Sequence, residues 1–271
     1  EKKNPPLLYN LAELQNECAK LFKINPDETL RIAQELYEKK LTTYPRTDAR
    51  VLSSAVAKEI GKNIGGLRNY VLVKEFAEEI MASGSYKTIA KSRYVNDKQI
   101  TDHYAIIPTG QGLGAITSLS PTAQKVYEVI VRRFLAIFYP PAVYQKVTLT
   151  IGIKEETFFS NFKVMTDEGY LRIIKNSFSK EKNQDSKEEG NEKNESEQEE
   201  LKCTPEFLAV LASLKKGTPI PCEGIELKEG ETSPPKRYNS GSMILAMENA
   251  GQLIENEEMR AQIKGSGIGT S

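Results

Sequence analysis

At Pro140-Pro141 the hydrophobic period of this chain changes, and that change limits the folds open to it. Before the two prolines apolar residues recur every three or four positions, the spacing of a helix face; after them they alternate, the spacing of a half-buried strand. Asn10-x-x-Glu13 resembles a capping box ahead of Leu11, Leu14, Cys18, Leu21 and Phe22. Asn25-Pro26-Asp27-Glu28 places a cap, a first-turn proline and early acids before Leu30, Ala33, Leu36 and Tyr37, and Lys39-Lys40 close that helix. Two more helical patterns cover about 51–63 and 68–82, and Ser120-Pro121 opens another through about Phe138. Beyond it Val147, Leu149, Ile151 and Ile153 alternate, as do Phe162 and Val164, and Tyr170-Leu171-Arg172-Ile173-Ile174 is a third strand candidate. Residues 141–230 are therefore expected to be mostly β, and a last helix is expected over about 241–250. The class this predicts is α+β and multidomain.

Within the β segment, residues 176–200 hold Phe178 as their only large apolar side chain, too little burial to offset the entropy of ordering, so a disordered acidic insertion is expected. The 271-residue chain has zero formal charge, but the charge is divided. Residues 1–150 carry 21 Lys and Arg against 15 Asp and Glu, whereas 180–200 carry 4 against 9. The basic excess is compatible with a phosphate-backbone partner and equally with an ordinary solvated surface. Cys18, Cys203 and Cys222 show no C-x-x-C spacing, which speaks against a zinc site or a disulfide framework and fits a reducing cytoplasm. No apolar run suits a membrane span, and Glu1-Lys2-Lys3-Asn4-Pro5-Pro6 is no signal peptide. Lacking an initiator Met, the sequence reads as an excised piece of a longer protein.

The chemistry concentrates in Lys40-Leu41-Thr42-Thr43-Tyr44-Pro45-Arg46-Thr47-Asp48. Leu41 to Tyr44 is rich in strand formers, and Pro45 keeps Tyr44 out of the helical region. A phenol with an unperturbed pKa near 10 is a weak nucleophile unless its anion is favoured. Arg46 is cationic at any working pH and presents planar donors that match phosphate oxygens. In an extended segment, residues two apart face the same side, so this spacing suits attack on a phosphodiester with a guanidinium stabilising the added charge. A tyrosine that simply packs in a strand fits the same spacing.

Three other segments carry polar signals. His103, the single histidine, sits in Thr101-Asp102-His103-Tyr104-Ala105-Ile106-Ile107-Pro108-Thr109, where it could hold a phosphate, shuttle a proton, or merely bond near a turn. Gly230-Glu231-Thr232-Ser233-Pro234-Pro235-Lys236-Arg237-Tyr238 joins a Pro-Pro elbow to two cations and an aromatic, which suits contact with a single strand. Gly265-Ser266-Gly267-Ile268-Gly269-Thr270 could bring backbone amides to a phosphate.

Taken in order, these segments resemble type IA DNA topoisomerases. Tyr44-Pro45-Arg46-Thr47-Asp48 is similar to that family's active-site tyrosine motif, and His103-x-Ala105-Ile106-Ile107-Pro108-Thr109 to a downstream block. Thr232-x-Pro234-Pro235-x-Arg237-Tyr238 and Gly267-Ile268-Gly269-Thr270 match two later blocks, and Leu14-Gln15 also fits. Tyr-Pro-Arg and Ala-Ile-Ile-Pro-Thr resemble bacterial topoisomerase III more than topoisomerase I. The resemblance implies that Tyr44 forms a 5′-phosphotyrosyl bond and that Arg46 stabilises the transition state. It implies DNA contacts for Gln15, Thr47, Asp48, Arg50, His103, Thr109, Lys236 and Arg237.

The family also implies a layout. Residues 1–140 would be a winged-helix-like (CAP-like) domain bearing the tyrosine, 141–235 a β-rich gate, and 236–271 part of a helical domain cradling single-stranded DNA. The family uses Mg2+ in a Toprim domain with an Asp-x-Asp cluster; no Asp-x-Asp occurs here, so that site is expected outside this chain. ATP-independent relaxation or decatenation, a cytoplasmic location and a helicase as a candidate partner complete the expectation. Two other classes stay open: a non-catalytic winged-helix DNA-binding module, and a tyrosine recombinase, against which the single histidine argues.

Overall fold

The computed structural model of the chain describes residues 1–178, 205–227, 229–256, 259–260 and 268. In chain order its regular elements are β1 (Lys2–Lys3), α1 (Leu11–Phe22), α2 (Pro26–Glu38), α3 (Ser54–Leu67), α4 (Lys74–Ser83), α5 (Pro121–Ala136), β2 (Ala142–Ile153), β3 (Glu156–Asp167), α6 (Leu171–Ile174), α7 (Pro205–Ser213) and α8 (Ser240–Glu248). Contacts divide them into two units, an α+β whole. The larger spans 4–142, 168–190 and 238–271; the smaller spans 1–3, 143–167 and 191–237.

The larger unit is helical. Its starts follow the sequence: Asn10 Oδ1 accepts from Glu13 N at 2.9 Å, and Asn25 Oδ1 from Glu28 N at 2.8 Å. Such a cap contributes about 1 kcal/mol by satisfying a helix-end donor. The reciprocal half of the expected box at Asn10 is replaced by a salt bridge, since the Glu13 carboxylate pairs with Arg50. The central helix is α5, which buries side chains all round it, among them Val126, Tyr127, Ile130, Phe134 and Leu135. Leu14, Leu36, Leu41, Leu52, Ile60 and Ile64 close the core around it. Each fully buried aliphatic of this size contributes about 1.5–3 kcal/mol.

The third expected strand, Tyr170–Ile174, forms the short helix α6 instead. Gly169 takes a left-handed φ of +49°, with Pro140 and Pro141 carbonyls so near that a Cβ there would lie 2.5 Å from each. Tyr170 N then donates to Pro140 O at 3.0 Å. The Ile173 carbonyl accepts from Arg132 at 3.0 Å, which leaves the segment no ladder to join. Arg132 is itself paired with buried Glu128 at 2.6 Å, and Glu128 accepts from Ser177 N and Oγ at 2.7 and 2.6 Å. Phe178 packs on Phe22 with centroids 5.3 Å apart. Ser177 and Phe178, at the start of the expected acidic insertion, are held by these contacts; residues 179–200 of it lie outside the described residues.

In the smaller unit β2 and β3 form a hairpin in antiparallel register, with Val147 opposite Phe162 and Ile151 opposite Phe158. Lys154 at φ +56° makes the turn. β1 adds at the other edge of β2, where Tyr144 N donates to Glu1 O at 2.8 Å. The expectation of β structure through 230 fails at α7. Its run Phe207-Leu208-Ala209-Val210-Leu211 lacks the polar interruptions that separate a helix from a strand, and Pro205 at the first position suits a helix. Phe207 meets Phe162 edge-on at 5.4 Å.

Candidate active site

Helix α2 delivers the chain to the site through a Schellman close: Leu41 N donates to Leu36 O at 2.9 Å and Lys40 N to Tyr37 O at 2.8 Å. Lys40 occupies the left-handed position, φ +61°, usually held by glycine. The segment that follows is not the regular strand expected over Leu41–Tyr44; its only ladder pairing among the described residues is the isolated bridge of Thr42 with Pro108. Thr43 replaces a ladder partner with its side chain. Its N–H donates to Ile107 O, its Oγ1 accepts from Ile107 N, and the same hydroxyl donates to Ala105 O, at 2.9, 2.9 and 3.0 Å. Thr109 N donates to Leu41 O at 2.9 Å, and Thr109 Oγ1 to Lys40 O at 2.5 Å. Buried Thr47 donates through Oγ1 to His103 O at 2.8 Å. Two motifs about sixty residues apart thus form one hydrogen-bonded body.

Tyr44 lies on its surface between two rings. Tyr37 meets it edge-on with centroids 5.3 Å apart, and His103 lies at 4.6 Å, tilted by 48°. An open cleft of about 420 Å³ is lined by these three residues with Lys40, Thr109 and Gln111. Among the described residues the Tyr44 hydroxyl has no hydrogen-bond partner, and exposed Arg46 makes neither a hydrogen bond nor an ion pair. Several other tyrosines are unsuited to attack: burial raises the phenols of Tyr9, Tyr104, Tyr127 and Tyr139, and pushes those of Tyr70 and Tyr94 up to about 12.

The remaining expected site residues fall in different places. Thr109 lines the cleft, and Asp48 is exposed with its carbonyl accepting from Asn10 at 3.1 Å. Gln15 is 8% exposed and donates to Pro26 O at 3.1 Å, and Thr47 is equally enclosed. Arg50 is bound to Glu13 and to Leu8 O. Lys236 and Arg237 are exposed and belong to the smaller unit. Of Gly267–Thr270, only Ile268 is described. Two lining residues lie outside the expected site: Tyr37, whose helical spacing marks a core position of α2, is 40% exposed, and Lys40, which the sequence marks as a helix-ending cation, faces the cleft. Gly66 and Gly110 carry no sequence signal of their own, yet a Cβ on Gly66 would meet the Gly110 carbonyl oxygen at 2.1 Å, so the close seating of the 108–112 loop on α3 requires glycine. Among the described residues no group of three or more His, Cys, Asp or Glu side chains is arranged to hold a metal ion.

The whole chain, residues 1–271, matches the family model described as DNA topoisomerase. The chain belongs to that family, in its type IA branch, whose general activity is cleavage and passage of DNA strands. Relatives named DNA topoisomerase 3 come from Bacillus licheniformis, 33% identical over 95% of this chain and 32% of that protein, and from Bacillus subtilis, 32% identical over the same shares. A third, from Bacillus cereus, is 30% identical over 100% of this chain and 34% of its own length. The chain thus spans about a third of the length of these relatives. A solved structure of full-length topoisomerase I from Thermotoga maritima superposes with a TM-score of 0.52 over 93% of this chain and 36% of that one, at 21% identity, a likeness of fold.

Proposed function

We propose that this chain carries the strand-cleaving site of a topoisomerase III-like enzyme, with Tyr44 as nucleophile. The observation that carries the reading is the Tyr44 ring, held between Tyr37 and His103 in the lining of an open cleft, with its hydroxyl unengaged among the described residues and exposed Arg46 two positions further along the chain. The phenolic oxygen attacks a backbone phosphorus; the Tyr44 O–P bond forms as the P–O3′ bond breaks. The phenol proton passes to solvent and the departing 3′ oxygen takes one up. The product is a 5′-phosphotyrosyl bond and a free 3′-hydroxyl, and the reverse step reseals the strand. One phosphodiester is exchanged for another, so no ATP is consumed.

Arg46 orients the scissile phosphate and stabilises charge on its non-bridging oxygens. His103 and Lys40, with Thr109, hold the backbone beside the nucleophile, and Tyr37 limits rotation of the Tyr44 ring. Lys236 and Arg237 bind single-stranded DNA as exposed cations, while Gln15, Thr47 and Arg50 support the DNA-contacting surface from within. The helices around Tyr44 act as a winged-helix-like domain, residues 141–235 as the gate and 236–271 as part of the cradle. Relaxation or decatenation in the cytoplasm, Mg2+ bound outside this chain, and cooperation with a helicase belong to the same reading.

The competing reading is a DNA-binding module in which Tyr44 only packs, and the irregular, hydrogen-bonded setting of Tyr44 suits both. Trapping on single-stranded DNA by rapid denaturation separates them. Tyr44→Phe removes a covalent adduct under the first reading; under the second, wild type forms none and binding is the same in both proteins.

A further inference from the structure

The half-buried carboxylate of Glu248, at the end of α8, has no part in the chemistry described above, yet it is bonded to the frame of the Tyr44 segment. Its Oε1 accepts from Asn10 Nδ2 at 2.5 Å. The same Asn10 amide donates to the Asp48 carbonyl at 3.1 Å, while Asn10 Oδ1 caps α1 through Glu13 N at 2.9 Å. Asn10 is 1% exposed, so its amide has no water to substitute for these partners. One residue on, Leu11 N donates to Thr47 O at 3.1 Å, and Thr47 Oγ1 donates to the His103 carbonyl at 2.8 Å. The His103 ring in turn packs on Tyr44. A continuous set of contacts therefore leads from α8 to the tyrosine ring.

The helix that carries Glu248 is seated tightly. A Cβ on Gly241 would lie 2.8 Å from the Asn16 Cα and 2.9 Å from the Ala19 Cβ, so α8 and α1 touch along their backbones. Asn239 and Ser242 form a reciprocal capping box that fixes the start of α8. Around its far end, burial raises the Glu248 carboxyl above the ordinary range, and the Glu13 and Asp48 carboxylates add to the rise; Asn10 and Arg50 oppose it. A carboxylate placed at such an electrostatic disadvantage, opposite an amide already engaged twice, suits a structural clamp on Asn10 better than a solvated helix end.

We propose that Glu248 is a positioning residue that locks Asn10, and through Asn10 the Thr47-Asp48 end of the Tyr44 segment, when α8 is docked on α1. The catalytic part of this inference rests on Tyr44 being the nucleophile; the positioning part does not. Displacement of a reacting group by about 1 Å can cost up to 10²-fold in rate, so loss of the clamp lowers turnover at saturating DNA more than it changes DNA affinity.

The single histidine makes the test direct, because His103 gives one imidazole signal and that ring lies on Tyr44. Glu248→Ala and Asn10→Ser are compared with wild type by nuclear magnetic resonance of His103 and by the initial rate of covalent adduct formation on single-stranded DNA. Serine keeps the cap on Glu13 N but lacks the amide that reaches Glu248 and Asp48. Both variants shift or broaden the His103 signal and slow adduct formation by roughly tenfold or more at saturating DNA. Glu248→Gln, whose amide oxygen accepts the same bond, stays within about twofold of wild type. The inference is overturned if Asn10→Ser leaves signal and rate unchanged, or if Gln is as damaging as Ala. If Glu248→Ala unfolds the unit, Asn10→Ser and Glu248→Gln still decide. If wild type joined to the flanking segments its relatives carry forms no adduct, the assignment of Tyr44 falls, while the His103 signal alone decides the clamp.

Discussion

The segment from Lys40 to Arg50 and the segment from Thr232 to Tyr238 both join cations to an aromatic, half-buried Tyr44 in the first and exposed Tyr238 in the second, but they are built differently. In the first, Thr43, Thr47 and Thr109 commit their hydroxyls to neighbouring backbone, and Tyr44 rests between Tyr37 and His103. In the second, every residue is exposed, and Lys236 and Arg237 have no partner among the described residues. Covalent attack requires reacting atoms held within a few tenths of an ångström, whereas a phosphate contact tolerates a mobile cation. The difference is the one the proposed function requires, with chemistry at the first segment and strand binding at the second.

The sharpest way to break this contrast is to remove one cation from each segment. Arg46→Ala lowers the cleavage rate by roughly 10²–10³-fold with a much smaller loss of DNA affinity, because its donors act on charge that develops in the transition state. Equal losses of rate and affinity would remove Arg46 from the reaction. Arg46→Lys recovers only part, since an ammonium lacks the planar fork. Next in size is Thr43→Val, which leaves the buried Ile107 N–H without its acceptor and costs about 1–3 kcal/mol, read as a lower melting temperature. No change in melting would mean that the threonine bonds do not hold the frame.

Lys236→Ala should behave in the opposite manner to Thr43→Val. Melting stays constant, while single-strand affinity falls and the slope of log affinity against log salt drops by about one contact. A slope equal to wild type would separate Lys236 from the backbone of DNA. The smallest expected effect is at Lys40. Glycine there relieves the left-handed conformation and stabilises the protein by about 1 kcal/mol, yet weakens DNA binding by deleting a cation from the cleft. A change of the same sign in both measurements would break the link between strain and site.

The helices, their caps and the β2–β3 hairpin were legible because Asn10, Asn25, Ser120 and the alternation from Val147 to Ile153 are local signals. Tyr170–Ile174 and α7 misled because short apolar runs carry no period of their own, and tertiary partners such as Arg132 decide their conformation. At the site, Tyr44, His103 and Thr109 could be singled out from residue chemistry and motif order, and the structure brings them to one cleft. Tyr37 could not, because a helical period marks it as core, and its exposure depends on where α2 ends. Nor could Glu248 be tied to Asn10, since that bond exists only once α8 lies on α1.

The measurement nearest the central claim is the polarity of the covalent link. The chain, alone and joined to the flanking segments its relatives carry, is incubated with single-stranded DNA labelled at either end and then denatured. The account predicts an adduct that keeps only the 3′-side fragment, attached through its new 5′ phosphate to the peptide containing Tyr44 and absent in Tyr44→Phe. An adduct on another residue, a 3′ linkage, or DNA binding with no adduct from the joined protein would contradict it.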